Sequence, residues 1–424
     1  MCLYEFKGDT ENITKQQFTF VGEVLEKHGY TGNHVLVQAV GKAGDNYGSY
    51  VKIFIVEFDN GKEFKMIAKI APTIKMLREQ RSLRDLFLTE ILIYKELLPK
   101  MRELEANFSA PEEERFKYPV CYGTLSDSLN EIILLEDLET HNFIMFNKMQ
   151  PLSDEAVKIV VKNIAKFHSL SYVLKNNDPL AYEKFTGGLV NTLINQENMA
   201  QMEMVFVEVL NSIKAIFDKE RYTNAISEIL HYFKNTGIKI LISDKGSKYS
   251  VVDHGDLWTN NIMFQMKGDR PVECTLIDYQ LARESVPVSD IHNLIFNCTD
   301  YDTRSKHYYE WIDYYHSELD RYLSYFGLKV NFVYPRDKLD ADLKRYGKIC
   351  FGLSLIMINF LMRQTQEAPD FASVDNMDFT ELPKNFKVEN LMAQTVEAIK
   401  KRVEGLIESC CEYGYLTDVQ GTFK

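Results

Sequence analysis

The chain reads as α+β in two unequal lobes: a small β-rich N-terminal lobe, residues 1–135, and a large, mainly helical C-terminal lobe, residues 136–424. Three observations predict this. The first third alternates β-branched and aromatic residues between glycines, as strands do. After Ser153 the apolar residues recur mostly at helical spacing. One β-rich island, 249–280, interrupts that helical region and carries a tight polar run, VVDHGDLWTNNIMF, at 251–264.

Each element follows in order. VLVQAVGKAG and NYGSYVKIFIVEF are predicted as strands. EFKMIAKIAP is the return strand of a hairpin turning at Asp59-Asn60-Gly61, because Asn-Gly accepts the positive φ of a tight turn. SLRDLFLTEILIYKELL, 82–98, repeats as a helix, and EIILLE, Glu131–Glu136, is another strand. Glu136–Thr140 then connects the lobes. Ser153 or Asp154 caps a helix running to His168, and helical periodicity recurs over 191–234, 305–327, 340–364 and 388–412.

The bulk composition narrows the function. With 424 residues, 45% hydrophobic and 26% charged, the chain suits a two-lobed enzyme or two to three domains. A net charge of −12 argues against a nucleic-acid partner, since neutralising phosphates takes surplus lysine and arginine. The seven cysteines are odd in number, scattered and free of any CxxC pair, which fits reduced thiols. The opening MCLYEFKGDTENITKQQ lacks the apolar stretch of a signal peptide. The longest apolar run, Ile349 to Met362, falls short of the roughly twenty residues that span a bilayer. The expectation is a cytoplasmic protein without a membrane partner; the oligomeric state stays open.

Phosphoryl transfer needs phosphates held, Mg²⁺ held, a hydroxyl oriented and charge stabilised. The chain offers each in order. Taken alone, Asp256 reads as a turn or cap residue, Lys69 as an edge lysine, His254 as a structural hydrogen bonder and Trp258 as packing. Their joint spacing says more. Asp256 and Asn261 stand five apart, so in a loop a carboxylate can face an acceptor hydroxyl while an amide oxygen reaches a metal. Asp278, at the end of the apolar TLIDYQ, can complete a hard-cation site, since Mg²⁺ prefers oxygen donors. Lys69 inside MIAKIAP wants an anionic partner, and Glu90 on the following helix can supply it. The segment Gly41–Ser49, with Asn46, Tyr47, Gly48 and Ser49, can cover phosphates with backbone N–H groups. LLEDL, including Glu136 and Leu138, can present backbone groups to an adenine edge.

HGDLWTNNIMF followed by LIDYQ resembles the ecdysteroid kinase-like family of arthropods, relatives of choline kinases and aminoglycoside phosphotransferases. DNYGSY, MIAKIAP, FLTEILIYKELLP, LLEDL, IAKFHSLS and PVSDIHNL are similar to that family's segments, over nearly the whole chain. The resemblance implies a protein-kinase-like two-lobed fold, ATP as co-substrate and Mg²⁺ as cofactor. It makes Asp256 the catalytic aspartate, Asn261 and Asp278 the metal ligands, and Lys69 with Glu90 the phosphate-holding pair. Asp290 would brace the catalytic loop and His254 support it. His254-Gly255-Asp256 and Asp278-Tyr279-Gln280 depart from the protein-kinase motifs, which favours a small-molecule acceptor: an ecdysteroid or a similar steroid or xenobiotic. Choline or another amino alcohol is the alternative acceptor, and a catalytically silent ligand binder the alternative class.

Overall fold

A computed structural model of the chain describes residues 4–30, 34–41, 48–58, 61–73, 78, 83–189, 199–237, 239–240, 246–367 and 387–417. Its N-terminal region is built on a six-stranded sheet of β1 (Glu5–Gly8), β2 (His34–Ala39), β3 (Tyr50–Glu57), β4 (Glu63–Ile70), β5 (Cys121–Leu125) and β6 (Ile132–Glu136). The order is β1-β2-β3-β4-β6-β5. β3 and β4 form the expected hairpin, closing on Glu57 and Glu63, although Asp59 and Asn60 lie outside the described residues.

A strand-only reading of the first stretch misses a helix, α1 (Lys15–Lys27). β1 pairs with β2 in parallel, and a parallel pair needs a crossover, which α1 supplies. Its start is written in the sequence. The Thr14 hydroxyl accepts from the Gln17 N–H while the Gln17 side chain accepts from the Thr14 N–H, a capping box. Phe18, Thr19, Phe20 and Val21 are residues that also suit strands, which hides the helical period. Val21, Val24 and Leu25 pack against Val35, Val37, Phe54 and Met66 in a core of their own.

The helix expected over 82–98 runs further. It comprises α2 (Leu83–Leu92), a π-turn (Ile93–Leu97) and α3 (Leu98–Asn107). Within the π-turn the Leu98 N–H donates to the Ile93 carbonyl, five residues back. Pro99 has no N–H to give and its ring crowds the preceding turn, so the helix widens there instead of stopping.

Beyond the connector the structure is mostly helical. β7 (Phe143–Met145) precedes α4 (Asp154–Asn177), whose N-cap is Ser153, accepting from the Ala156 N–H at 3.3 Å. Then come α5 (Pro179–Gly188), α6 (Met199–Ala215), α7 (Glu220–Tyr232), α8 (Val288–Cys298), α9 (Tyr301–Ser324), α10 (Val330–Val333), α11 (Arg336–Leu361) and α12 (Ala393–Glu412). The stretch read as helical over 191–234 is thus two helices, with 190–198 outside the described residues. α4 lies against α9 and α8 against α11. Ile349–Leu361 is the buried half of α11, and among the described residues no helix is long and apolar enough to cross a membrane.

The island contributes β8 (Val251–Asp253), β9 (Ile262–Lys267), β10 (Arg270–Leu276) and β11 (Arg283–Ser285). β9 pairs with β10 and also with β7, while β8 pairs with β11. The register decides what meets. Asp253 is opposite Arg283, and Ile262 is opposite Leu276. Loops 254–261 and 277–282 therefore leave the same strand ends and face each other.

Candidate active site

Loop 254–261 is held from beneath. The Asp290 carboxylate, on the first turn of α8, accepts from the backbone N–H of His254 at 2.7 Å and of Gly255 at 3.0 Å. It also meets His168 Nε2 of α4 at 3.2 Å, and His168 Nδ1 lies 2.9 Å from the Tyr315 hydroxyl of α9. Burial works against the charge of Asp290, but the His168 hydrogen bond and the neighbouring His254 outweigh it and hold its pKa below the ordinary carboxylate value. Gly255 has φ +78°, and a Cβ there would sit 2.2 Å from the Leu281 carbonyl oxygen. Only glycine lets the two loops approach so closely.

His254 ties the loops together. Its Nε2 lies 2.9 Å from the Ile277 carbonyl, so Nε2 carries the proton and donates, while Nδ1 faces the Asp256 N–H at 3.4 Å. Burial lowers its pKa and keeps the ring neutral. The Ile277 N–H donates in turn to the Asn261 carbonyl at 3.0 Å.

Asp256 and Asn261 meet across the turn. Asn261 Nδ2 donates to the Asp256 carbonyl at 2.8 Å and to its Oδ2 at 3.0 Å. Asp256 has its pKa pushed up to about 7 by burial and by the charge of Asp278, against the pull of the Asn261 and Trp258 side chains. Such a carboxylate exchanges its proton near neutrality.

The opposite loop presents Asp278, with φ +66°, a left-handed conformation uncommon for a non-glycine residue. Its Oδ1 is 2.6 Å from Lys69 Nζ of β4, and Lys69 Nζ is 2.5 Å from Glu90 Oε2 of α2. Burial opposes the Lys69 charge, yet Asp278 and Glu90 more than offset it and hold its pKa above the ordinary lysine value. Burial raises the pKa of Glu90, and its Oε1 accepts the Tyr279 N–H at 3.3 Å. Lys69, Glu90, Asp278, Asp256 and Asn261 thus gather from one strand, one helix and two loops.

The remaining expected residues fall as follows. Gly48 stands beside the Asp278 loop, where a Cβ would meet Gln280 Oε1 at 3.4 Å, and Ser49 precedes β3. Asn46 and Tyr47 lie outside the described residues. The Glu136 carboxylate is engaged by the Val120 N–H at 3.0 Å and His141 Nε2 at 2.9 Å, and Leu138 is buried at the start of a 3₁₀ turn. Sequence reading assigned no role to His168 or Tyr315, which are remote in sequence from the loop they support. A histidine buried in an amphipathic helix, within IAKFHSLS, was the available signal. Asp253 was also passed over. It accepts from the Arg283 N–H at 3.2 Å, fixing the shared strand ends.

Hard-oxygen donors, a buried lysine and a carboxylate poised near neutrality make a site able to hold a polyphosphate and accept a hydroxyl proton. A family model described as the ecdysteroid kinase-like family matches residues 43–328. Among solved structures, an ethanolamine kinase from Plasmodium vivax is similar at 14% identity, covering 88% of this chain and 81% of that one, with a TM-score of 0.40. The GDP complex of an aminoglycoside 2'-phosphotransferase-IIIa mutant is similar at 13% identity, covering 93% of this chain and 98% of that one, with a TM-score of 0.45. The GDP and kanamycin complex of an enzyme of that type shows 12% identity, the same coverages and a TM-score of 0.43. No curated protein matches.

Proposed function

The chain belongs to the ecdysteroid kinase-like family and is a small-molecule phosphotransferase acting on hydroxyls, and from that premise we propose that it moves the γ-phosphoryl group of Mg²⁺-bound ATP onto an alcohol hydroxyl of an ecdysteroid or a similar apolar alcohol. The observation that supports this reading is the raised pKa of Asp256 in a loop locked against the Lys69–Asp278–Glu90 cluster. In this reading the cleft lies between an N-terminal lobe, 1–135, and a C-terminal lobe, 136–424.

Asp256 is the catalytic residue. Its carboxylate orients the acceptor hydroxyl and takes its proton as the new O–P bond forms. The bond from the γ-phosphorus to the bridging oxygen breaks, and ADP leaves with that oxygen. Lys69, kept charged by Glu90, holds the ATP phosphates, and the N–H groups around Gly48 and Ser49 cover them. Glu136 and Leu138 contribute main-chain groups to the base. Asn261 spends its Nδ2 on Asp256, which leaves Oδ1 for a cation, and Asp278 adds a carboxylate. These are the donors Mg²⁺ takes, and bound Mg²⁺ supplies neutralisation of phosphate charge. His254 and Asp290 position the loop without touching substrate.

The test incubates the purified chain with Mg²⁺, γ-labelled ATP and separate ecdysteroid, phenol, choline and ethanolamine acceptors, with Asp256→Asn as control. Label on an ecdysteroid, lost in the variant, is expected. Label on choline or ethanolamine instead would replace the acceptor and keep the mechanism. ATP binding with no transfer to any acceptor overturns the reading in favour of a silent binder.

A further inference from the structure

A cavity of about 450 Å³ opens between α1, β5 and the π-turn, apart from the site above. That volume lies within the range of small-molecule sites. Phe20, Val24, Pro99 and Tyr122 give it apolar walls. Gly123 contributes to its space: a Cβ there would press on Val24 at 2.9 Å and on Phe20 at 3.0 Å. At the lining, Lys27 and Lys95 are exposed and have no ion-pair partner among the described residues, against the single carboxylate of Glu23.

The wall formed by Tyr94 links this cavity to the ion cluster. Tyr94 is 2% exposed, and its hydroxyl has no hydrogen-bond partner among the described residues. An unpartnered buried hydroxyl is costly, and such groups mark strain or a missing partner. Tyr94 and Lys95 belong to the π-turn itself, and π-turns recur at functional positions. Glu90 is one turn earlier on the same helix. Tyr94 also packs edge-on against Tyr279 at 5.6 Å, and the Tyr279 N–H is held by Glu90.

We propose that this cavity binds an amphipathic organic anion, with a flat apolar body between Phe20, Val24 and Tyr122 and its anionic group toward Lys27 and Lys95, and that occupancy is relayed through Tyr94 to the Glu90–Lys69 pair. Tyr94 lies in the π-turn one helical turn after Glu90, so a ligand that displaces the Tyr94 ring shifts that turn and, with it, Glu90 relative to Lys69. The relay rests on the phosphotransferase reading; the binding does not.

The probe is anilinonaphthalene sulfonate, a fluorescent apolar anion, titrated into the full chain. One saturable site is expected, at least tenfold weaker in the double variant Lys27→Glu/Lys95→Glu. Gly123→Val is expected to block it, and the exposed double variant keeps the test decisive if Gly123→Val fails to fold. By calorimetry, Mg²⁺·ATP affinity should shift threefold or more with probe bound, and the shift should vanish in Tyr94→Leu. Non-saturable binding, charge reversal without effect, or one-for-one displacement by ATP overturns the cavity assignment. Probe binding with ATP affinity unchanged overturns the relay alone. If ATP does not bind at all, the phosphotransferase reading fails while the probe isotherms still judge the cavity.

Discussion

Asp290 and Asp256 lie on the two sides of one loop, Asp290 fully buried and Asp256 partly buried, and they carry opposite shifts. Beneath the loop, Asp290 accepts from two backbone N–H groups and faces His168, so its pKa is held down despite burial. On the open side, Asp256 has side-chain donors in Asn261 and Trp258 but also the negative Asp278 nearby, and it is pushed up to about 7. Burial raises the cost of charge for both; the supply of donors and the sign of the neighbours decide the outcome. The underside is built to keep its charge and hold a shape. The open side holds a carboxylate whose charge is penalised rather than secured.

The sharpest break of this contrast is Asp256→Asn. It removes the proposed proton acceptor with little change of shape, and kcat is expected to fall by about 10²–10⁴ while the ATP affinity changes less than about threefold. An unchanged kcat in single-turnover assays would remove Asp256 from the chemistry. Asp290→Asn should act on the other side of the comparison. It replaces one acceptor oxygen with a donor facing buried N–H groups and is expected to cost about 2–4 kcal/mol of folding stability, read from the urea midpoint. A loss of rate with no loss of stability would contradict the bracing role.

The pH dependence separates the two carboxylates next. In the proposed mechanism the reactive form of Asp256 is the deprotonated one, so kcat/KM should rise with pH through about 7 and level off above it. A flat profile from pH 5.5 to 8.5, roughly 1.5 units either side of that value, would count against a proton-accepting role. The smallest effect is on stability. Asp256 has a raised folded pKa, so the folded state binds its proton more tightly than the unfolded state. Its contribution therefore falls as pH climbs from the ordinary carboxylate value through about 7. Asp256→Asn should accordingly raise Tm at pH 8 relative to wild type, and by much less near pH 4, measured by calorimetry. Asp290 has a lowered pKa and has the reverse sign: its support is present at neutral pH and is lost as the solution is acidified below the ordinary carboxylate value.

Much of this is legible in the amino-acid sequence. The β3–β4 hairpin, the strand holding Lys69, the helix holding Glu90 and the order of His254, Gly255, Asp256, Asn261 and Asp278 are local patterns, and local patterns come from periodicity and turn chemistry. α1 could have been read from Thr14 and Gln17, but its β-prone residues masked the period. The extension of the helix to Asn107 could not be read the same way. A proline at 99 ordinarily ends a helix, and here a π-turn absorbs it because the apolar face of α3 has a core to bury into.

What the sequence determined by itself was the inventory: which carboxylates, amides and cations exist, on which kind of element, and in what order. Tertiary structure decided which of them meet. Glu90 reaches Lys69 across 21 residues, Asp278 reaches it across 209, and His168 reaches Asp290 across 122. No window of sequence encodes those distances, because each depends on the packing of a helix or strand that is itself placed by an apolar core. The charge states followed last, since Asp256 and Asp290 have the same side chain and differ only in the donors and charges that folding brings to them.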